Sequence, residues 1–317
     1  MARRVKIKQK KAKAQAGPAP LRLADFAHPG DVKEKTTAFL VGFGGPIGLI
    51  MLIYVMPKRD ITSPVLLIWA VAAFVVHFWF RPAQELKRAA KNAAASAEDV
   101  AFGNVLNMIL GRIARLYPAA SNVKAVVVPS GVEPVIIGRT VLVPAGLRSN
   151  LTEHELFALL AHQVGHVVAG HAVWLNLLRS MSLLPPVLHW ISLPLVPLAQ
   201  MLRRWSYYAD TTADRFAVLL TGEGKMVAQA ILRLALNAEP SEERVSAEEI
   251  SGHLARTESL KAEESEIVTH FRLGEYLKER PDLYGRLRQV VTYANSDGCK
   301  TALGRLRAAA APQSASG

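Results

Sequence analysis

Apolar and polar positions fall in long blocks along this chain. Two uncharged runs come first, residues 36–57 (TTAFLVGFGGPIGLIMLIYVMP) and 61–80 (ITSPVLLIWAVAAFVVHFWF), with only Lys58, Arg59 and Asp60 between them. A helix needs about 20 mostly apolar residues to cross a bilayer, so the pattern predicts a tight transmembrane hairpin over 36–80. A cleaved signal peptide is a poor match, because the first run starts late, is long and lacks a small-residue cleavage site. Ahead of the hairpin, residues 1–35 show no apolar periodicity and read as a basic arm.

Beyond residue 80 the apolar period shortens. Residues 81–116 predict helix, Ala-rich at first and then apolar at Val105, Leu106, Ile109, Leu110 and Ile113. Two β-rich runs follow, 124–128 (KAVVV) and 135–143 (VIIGRTVLV), with a Pro/Gly turn between them. Thr152 with Glu155 three positions on predicts a capping box opening a helix over about 153–171. Residues 180–202 form a third uncharged run, but Pro185, Pro186, Pro194 and Pro197 interrupt it. It reads as a re-entrant or membrane-surface segment inside a hydrophobic insert at about 173–203. A helix over about 204–221 ends before Gly222. Eight Glu between Ser241 and Glu266 predict a solvated helical face. Residues 301–317, ending AAAAPQSASG, read as a disordered tail. The expected fold is mainly α with a small β-hairpin or sheet, a domain over 81–300 following the transmembrane hairpin.

Composition narrows the partners. The chain has 317 residues, half of them hydrophobic, and a single cysteine, Cys299, which excludes a disulfide framework and a Cys-based zinc finger. The net charge is +12, yet the first 13 residues alone carry seven Lys and Arg and no acid. The basic balance is therefore local. Attraction to anionic lipid is its leading reading; the arm has a single aromatic, Phe26, and no predicted folded element of the kind nucleic-acid recognition uses. With Arg81, Lys87, Arg88 and Lys91 after the second run, the positive flanks place both ends of the hairpin in the cytoplasm. The expected location is the cytoplasmic (inner) membrane.

The candidate chemistry lies in LLAHQVGHVVAGH, residues 159–171. His162 and His166 are spaced i, i+4, so on a helix both imidazoles leave one face about a turn apart, within reach of one metal. Asp210 and Asp214, in SYYADTTADRFA (206–217), repeat that spacing with carboxylates. Two imidazoles facing a carboxylate would form a three-ligand zinc site with an open fourth position. Taken separately, each pair also fits a bland reading, as packed core histidines or as a solvated acidic patch.

These stretches resemble the HtpX-type membrane zinc metallopeptidases, related to the CAAX prenyl proteases and built on a gluzincin-like fold. There a helix of the form L-x-x-H-E-x-x-H-x-x-x-G-H carries two zinc-ligating histidines and a general-base Glu. A later S-R-x-x-E-x-x-x-D helix adds the third ligand, with its Asp behind the site. The likeness spans roughly residues 100–295 and takes in LTEHEL (151–156), Gly170–His171, ADRFA (213–217) and ERPDLYGRLRQV (279–290). It implies one Zn2+ per chain held by His162, His166 and Asp210, with Asp214 and His171 supporting them. It also implies activity on misfolded or membrane-proximal polypeptides.

Departures at four positions qualify the likeness. Gln163 stands at the general-base position, Asp210 replaces the ligand Glu, and Tyr207 replaces the Arg before it; Arg280 also precedes Pro281 where His is usual. A carboxamide can hydrogen-bond water but cannot take its proton, and losing a general base costs about 10²–10⁴-fold in rate. Gln163 has two possible origins, an engineered exchange or natural divergence, and the companion changes at Asp210 and Tyr207 favour divergence. The alternative to an impaired endopeptidase is an inactive member of the fold that binds polypeptides or partner membrane proteins.

Overall fold

The computed structural model describes residues 21–38, 96–129, 133–182, 196–236 and 283–310, and positions 40, 84 and 88. Most of the 36–80 hairpin, the acidic stretch 241–266, residues 183–195 of the insert and the final 311–317 lie outside the described residues. The described part is mainly helical with one three-stranded sheet. Among the described residues no single helix is long and apolar enough to cross a membrane.

Helix α1 covers residues 29–38. Together with Leu21 and Phe26, which are buried, it shows that 21–38 are folded onto the domain and are not part of a free arm. Phe26 is the anchor: its ring centroid lies 5.0 Å from that of Phe216. Helix α2 (Ala97–Leu116) begins where the Ser96 hydroxyl accepts from the Asp99 amide. It buries Phe102, Leu106, Ile109, Leu110 and Ile113, an i, i+4, i+7, i+8, i+11 stripe. Pro118 follows its end at Tyr117, as the steric restriction on residues preceding proline requires.

The sheet differs from a simple hairpin of the two β-rich runs. Strand β1 (Lys124–Val128) pairs in parallel with β3 (Thr140–Pro144), and β2 (Val135–Ile137) pairs antiparallel with β3 on its other side. The run 135–143 thus splits in two. Gly138, at φ +62°, opens the two-residue turn that folds β2 back on β3 with Ile137 opposite Thr140. The Pro/Gly stretch after β1 is a crossover, since β1 and β2 are not neighbours. Central β3 is the most buried strand, and β2 forms an edge.

Helix α3 (Glu153–Val168) opens with the expected capping box, in which Thr152 and Glu155 satisfy each other's amides. Glu155 also meets Arg233 at 2.9 Å, both side chains buried. The helix stops three residues short of the expected 171. Gly170 takes φ +70°; its amide donates to the Val167 carbonyl and the His171 amide donates to that of His166. This is a Schellman motif, which needs a residue in the left-handed region and therefore favours glycine. The chain then turns by 96° into α4 (Ala172–Ser182).

Helix α5 (Val196–Thr221) is longer than the expected 204–221 and includes the C-terminal part of the proposed insert. Leu198, Leu202, Trp205 and Ala209 on it form a second apolar cluster with Ala38 of α1 and with Trp174, Leu175 and Leu178 of α4. Helix α6 (Gly224–Leu236) follows, then α7 (Leu283–Ala294) and α8 (Asp297–Ala310). Helix α8 corrects the expectation of disorder over residues 301–310: it turns Cys299, Ala302 and Leu306 into the core. Among the described residues, helices α3 and α5 share the largest helix–helix contact, with α6 and α7 packed beside them.

Candidate metal centre

The contact between α3 and α5 has no room for a side chain at its centre. A Cβ on Gly165 would lie 3.0 Å from Ala213 Cα and 3.2 Å from its carbonyl oxygen. Gly165 stands between His162 and His166, and Ala213 between Asp210 and Asp214. The two backbones therefore come close where the two i, i+4 pairs face each other. This lets the short Asp210 side chain reach across.

The structure brings His162, His166 and Asp210 together. One ligand atom from each lies within 4.8 Å of the others. His162 Nε2 and His166 Nε2 are 3.1 Å apart, and His166 Nε2 is 3.2 Å from Asp210 Oδ1. Ligands about 2.0–2.1 Å from a tetrahedral zinc are separated from one another by about 3.3–3.4 Å. The donor set therefore fits a zinc ion in both chemistry and spacing.

Each histidine is oriented from behind. His162 Nδ1 is 2.7 Å from Asp214 Oδ1. Asp214 in turn accepts from Arg286 Nε at 2.6 Å and from a terminal guanidinium nitrogen at 2.8 Å. His166 Nδ1 is 3.1 Å from His171 Nδ1, and His171 Nε2 is 2.8 Å from Asp31 Oδ2. A ring whose Nδ1 donates a proton to such a partner presents Nε2 as a bare lone pair, the form a metal requires.

Electrostatics agree with that arrangement. Burial pushes His166 below the ordinary imidazole value, against the pull of Asp210, so the ring stays neutral. Burial would raise the Asp214 carboxyl, but the Arg286 charge beside it and the hydrogen bonds from Arg286 and His162 outweigh this and hold it well below the usual carboxylate range. For Asp210, burial is likewise outweighed by the His166 hydrogen bond and Arg286, and its carboxyl is also lowered. Arg286 is driven upward by Asp214, despite burial. The result is a neutral His166 facing ionised carboxylates on Asp210 and Asp214.

All of these side chains except His171 and Asp31 line one cavity of about 480 Å³, and Gln163 lines it too. Leu159, Val227, Ile231 and Leu234 give the cavity an apolar lining, and Val135 and Ile136 of β2 line it as well, with Glu133 just before that strand. Tyr207 does not join the group. Its hydroxyl accepts from Gln289 Nε2, and it lines a different cavity with Arg215.

Two participants had no role in the sequence reading. Arg286 stands within ERPDLYGRLRQV, a segment that carries part of the family likeness, but nothing in the sequence alone gives it a role. Asp31 is one acid in a stretch read as a basic arm, 140 residues from its partner His171. Nothing local marks it.

Comparison with known proteins agrees with this geometry. Residues 135–294 match the model of peptidase family M48. The chain is 34% identical over 110 residues to the plastoglobule-localized metallopeptidase 48, chloroplastic, of Arabidopsis thaliana, covering 33% of this chain and 30% of that protein. The match thus spans less than a third of the relative's length. No solved structure matches. M48 metallopeptidases are zinc-dependent. The match over 135–294 takes in half of the chain and every residue of the His–His–Asp group, and on it this chain belongs to peptidase family M48.

Proposed function

We propose that this protein is a membrane-anchored member of the HtpX type whose cleft binds one zinc ion and a membrane-proximal or misfolded polypeptide. The convergence of His162, His166 and Asp210 carries the reading. His162 and His166 would hold the metal through Nε2 and Asp210 through Oδ1, with Asp214, Arg286 and His171 fixing the imidazoles. Zinc in such a site supplies Lewis-acid polarisation of a scissile carbonyl. The apolar lining of Leu159, Val227, Ile231 and Leu234 would take a hydrophobic side chain of an extended substrate.

Gln163 sets the limit on turnover. It lines the cavity beside the ligands and its carboxamide orients water without accepting a proton, so the proton transfer that a carboxylate performs there is absent. That observation favours a second reading, a silent member that retains zinc and holds polypeptides or partner membrane proteins without cutting them. The hairpin and the basic arm support placement in the cytoplasmic membrane with the cleft on the cytoplasmic side.

Elemental analysis of the purified full-length protein tests the metal site. The expected result is about one zinc per chain, lost on His162→Ala and on Asp210→Ala. Full zinc in His162→Ala would remove the assignment. Retention in Asp210→Ala with loss in Asp214→Ala would exchange the roles of the two carboxylates.

A further inference from the structure

The hydrogen-bond chain behind His166 ends on a residue from outside the family-matched region. Asp31 belongs to α1, is only 5% exposed, and places both carboxylate oxygens inside the domain. Oδ2 lies 2.8 Å from His171 Nε2 and accepts from Thr212 Oγ1 at 3.1 Å, while Oδ1 accepts from Trp205 Nε1 at 2.8 Å. Thr212 Oγ1 also accepts from the His28 amide at 3.0 Å, which ties the start of α1 to the helix that carries Asp210 and Asp214. The Trp205 ring packs edge-on against His171, with centroids 5.4 Å apart.

The proton positions along this chain follow from donor–acceptor logic. An ionised carboxylate only accepts, so His171 Nε2 must carry a proton. In a neutral ring Nδ1 is then the acceptor, and it faces His166 Nδ1 at 3.1 Å. His166 Nδ1 must therefore donate, which leaves His166 Nε2 bare and pointing at His162 Nε2 and Asp210. The other candidate ligand, His162, has its carboxylate in direct contact through Asp214. His166 reaches its carboxylate one imidazole further away.

We propose that Asp31 is a positioning residue of the metal centre, fixing through His171 the tautomer and ring orientation of His166. This rests on the zinc reading given above. It makes α1 a working part of the site, and it links the segment that leads into the hydrophobic hairpin to one of the zinc ligands.

Zinc affinity of the full chain in detergent, read by competition with a chromophoric chelator, tests it. Losing a partner behind a ligating histidine costs about 10–100-fold in metal affinity. Asp31→Asn is expected to weaken zinc by that factor, His171→Phe by a similar one, and the double variant no further, because both break the same chain. Trp205→Phe, which removes a different donor to Asp31, is expected to lower the melting temperature while leaving zinc affinity near that of the parent. Unchanged affinity in Asp31→Asn, fully multiplicative losses in the double variant, or an equal loss in Trp205→Phe would each overturn the role. Should Asp31→Asn fail to fold, the imidazole ¹⁵N spectrum of the zinc-loaded parent decides: a proton on His171 Nε2 supports the chain, and one on Nδ1 refutes it. Zinc lost in His162→Ala but fully retained in Asp31→Asn would defeat this inference while leaving the metal site standing.

Discussion

At the scale of single residues the decisive position is 163. Gln163 is buried on the same helix face that lines the cleft, one residue from His162. A Gln-to-Glu exchange is nearly isosteric, so packing should survive it, and it adds a proton acceptor where the cleft has none on α3. If only the base is missing, Gln163→Glu should cleave an unfolded protein such as casein at least about 10²-fold faster than the parent, the lower end of what a general base contributes. A chelator, or His166→Ala in the same background, should abolish the gain. No gain in a zinc-loaded variant would mean that the cleft has drifted from catalysis elsewhere, and the binding role would be the better account. Asp210, one methylene shorter than a glutamate, still reaches His166 at 3.2 Å, and the close backbone approach at Gly165 accounts for that reach.

At the scale of elements, that approach is the feature on which the site depends. A methyl group at 165 has to displace the Ala213 backbone and the Phe216 Cβ, each within 3.2 Å of where it would lie. Overpacking of this kind costs about 1–3 kcal/mol, although alanine is the better helix former on propensity alone. Gly165→Ala should therefore lower the unfolding midpoint in denaturant. It should also weaken zinc more than an equally destabilising change elsewhere, because it moves Asp210 away from His166. Zinc affinity unaffected in a measurably destabilised Gly165→Ala would show that the ligand distance does not hinge on this contact. The i, i+4 pairs were legible in the sequence because helix periodicity alone puts such residues on one face. Their confrontation was not, since it depends on two small residues meeting across a tertiary contact. The end of α3 was misjudged because the apolar pattern runs on through Val167, Val168 and Ala169, while the single Gly170 decides the backbone. The β-rich run 135–143 hid its turn in the same way, at Gly138.

On the scale of the whole molecule, the domain draws its site from three distant parts of the chain: α1, the α3–α5 pair and α7. Periodicity could find the middle part, but Asp31 and Arg286 enter only through folding, over separations of 140 and 72 residues from the partners they meet. In the membrane-anchored reading proposed above, the expected hairpin begins within α1, which is docked on α5, so the hairpin's orientation would place the cleft relative to the membrane. The flanking Lys and Arg argue for both ends in the cytoplasm. Cysteine labelling of intact cells with a membrane-impermeant maleimide can read this out with little background. The sole native thiol, Cys299, is fully buried, and burial pushes its ionisation upward, so it reacts slowly from either side. Cysteines introduced at Gln15, at Asp60 between the two runs and at exposed Lys225 report on the arm, the loop and the domain. Only the Asp60 variant should label in intact cells, and the other two should label after permeabilisation. Labelling at Lys225 without permeabilisation would turn the cleft to the opposite face and with it the class of polypeptides it could meet.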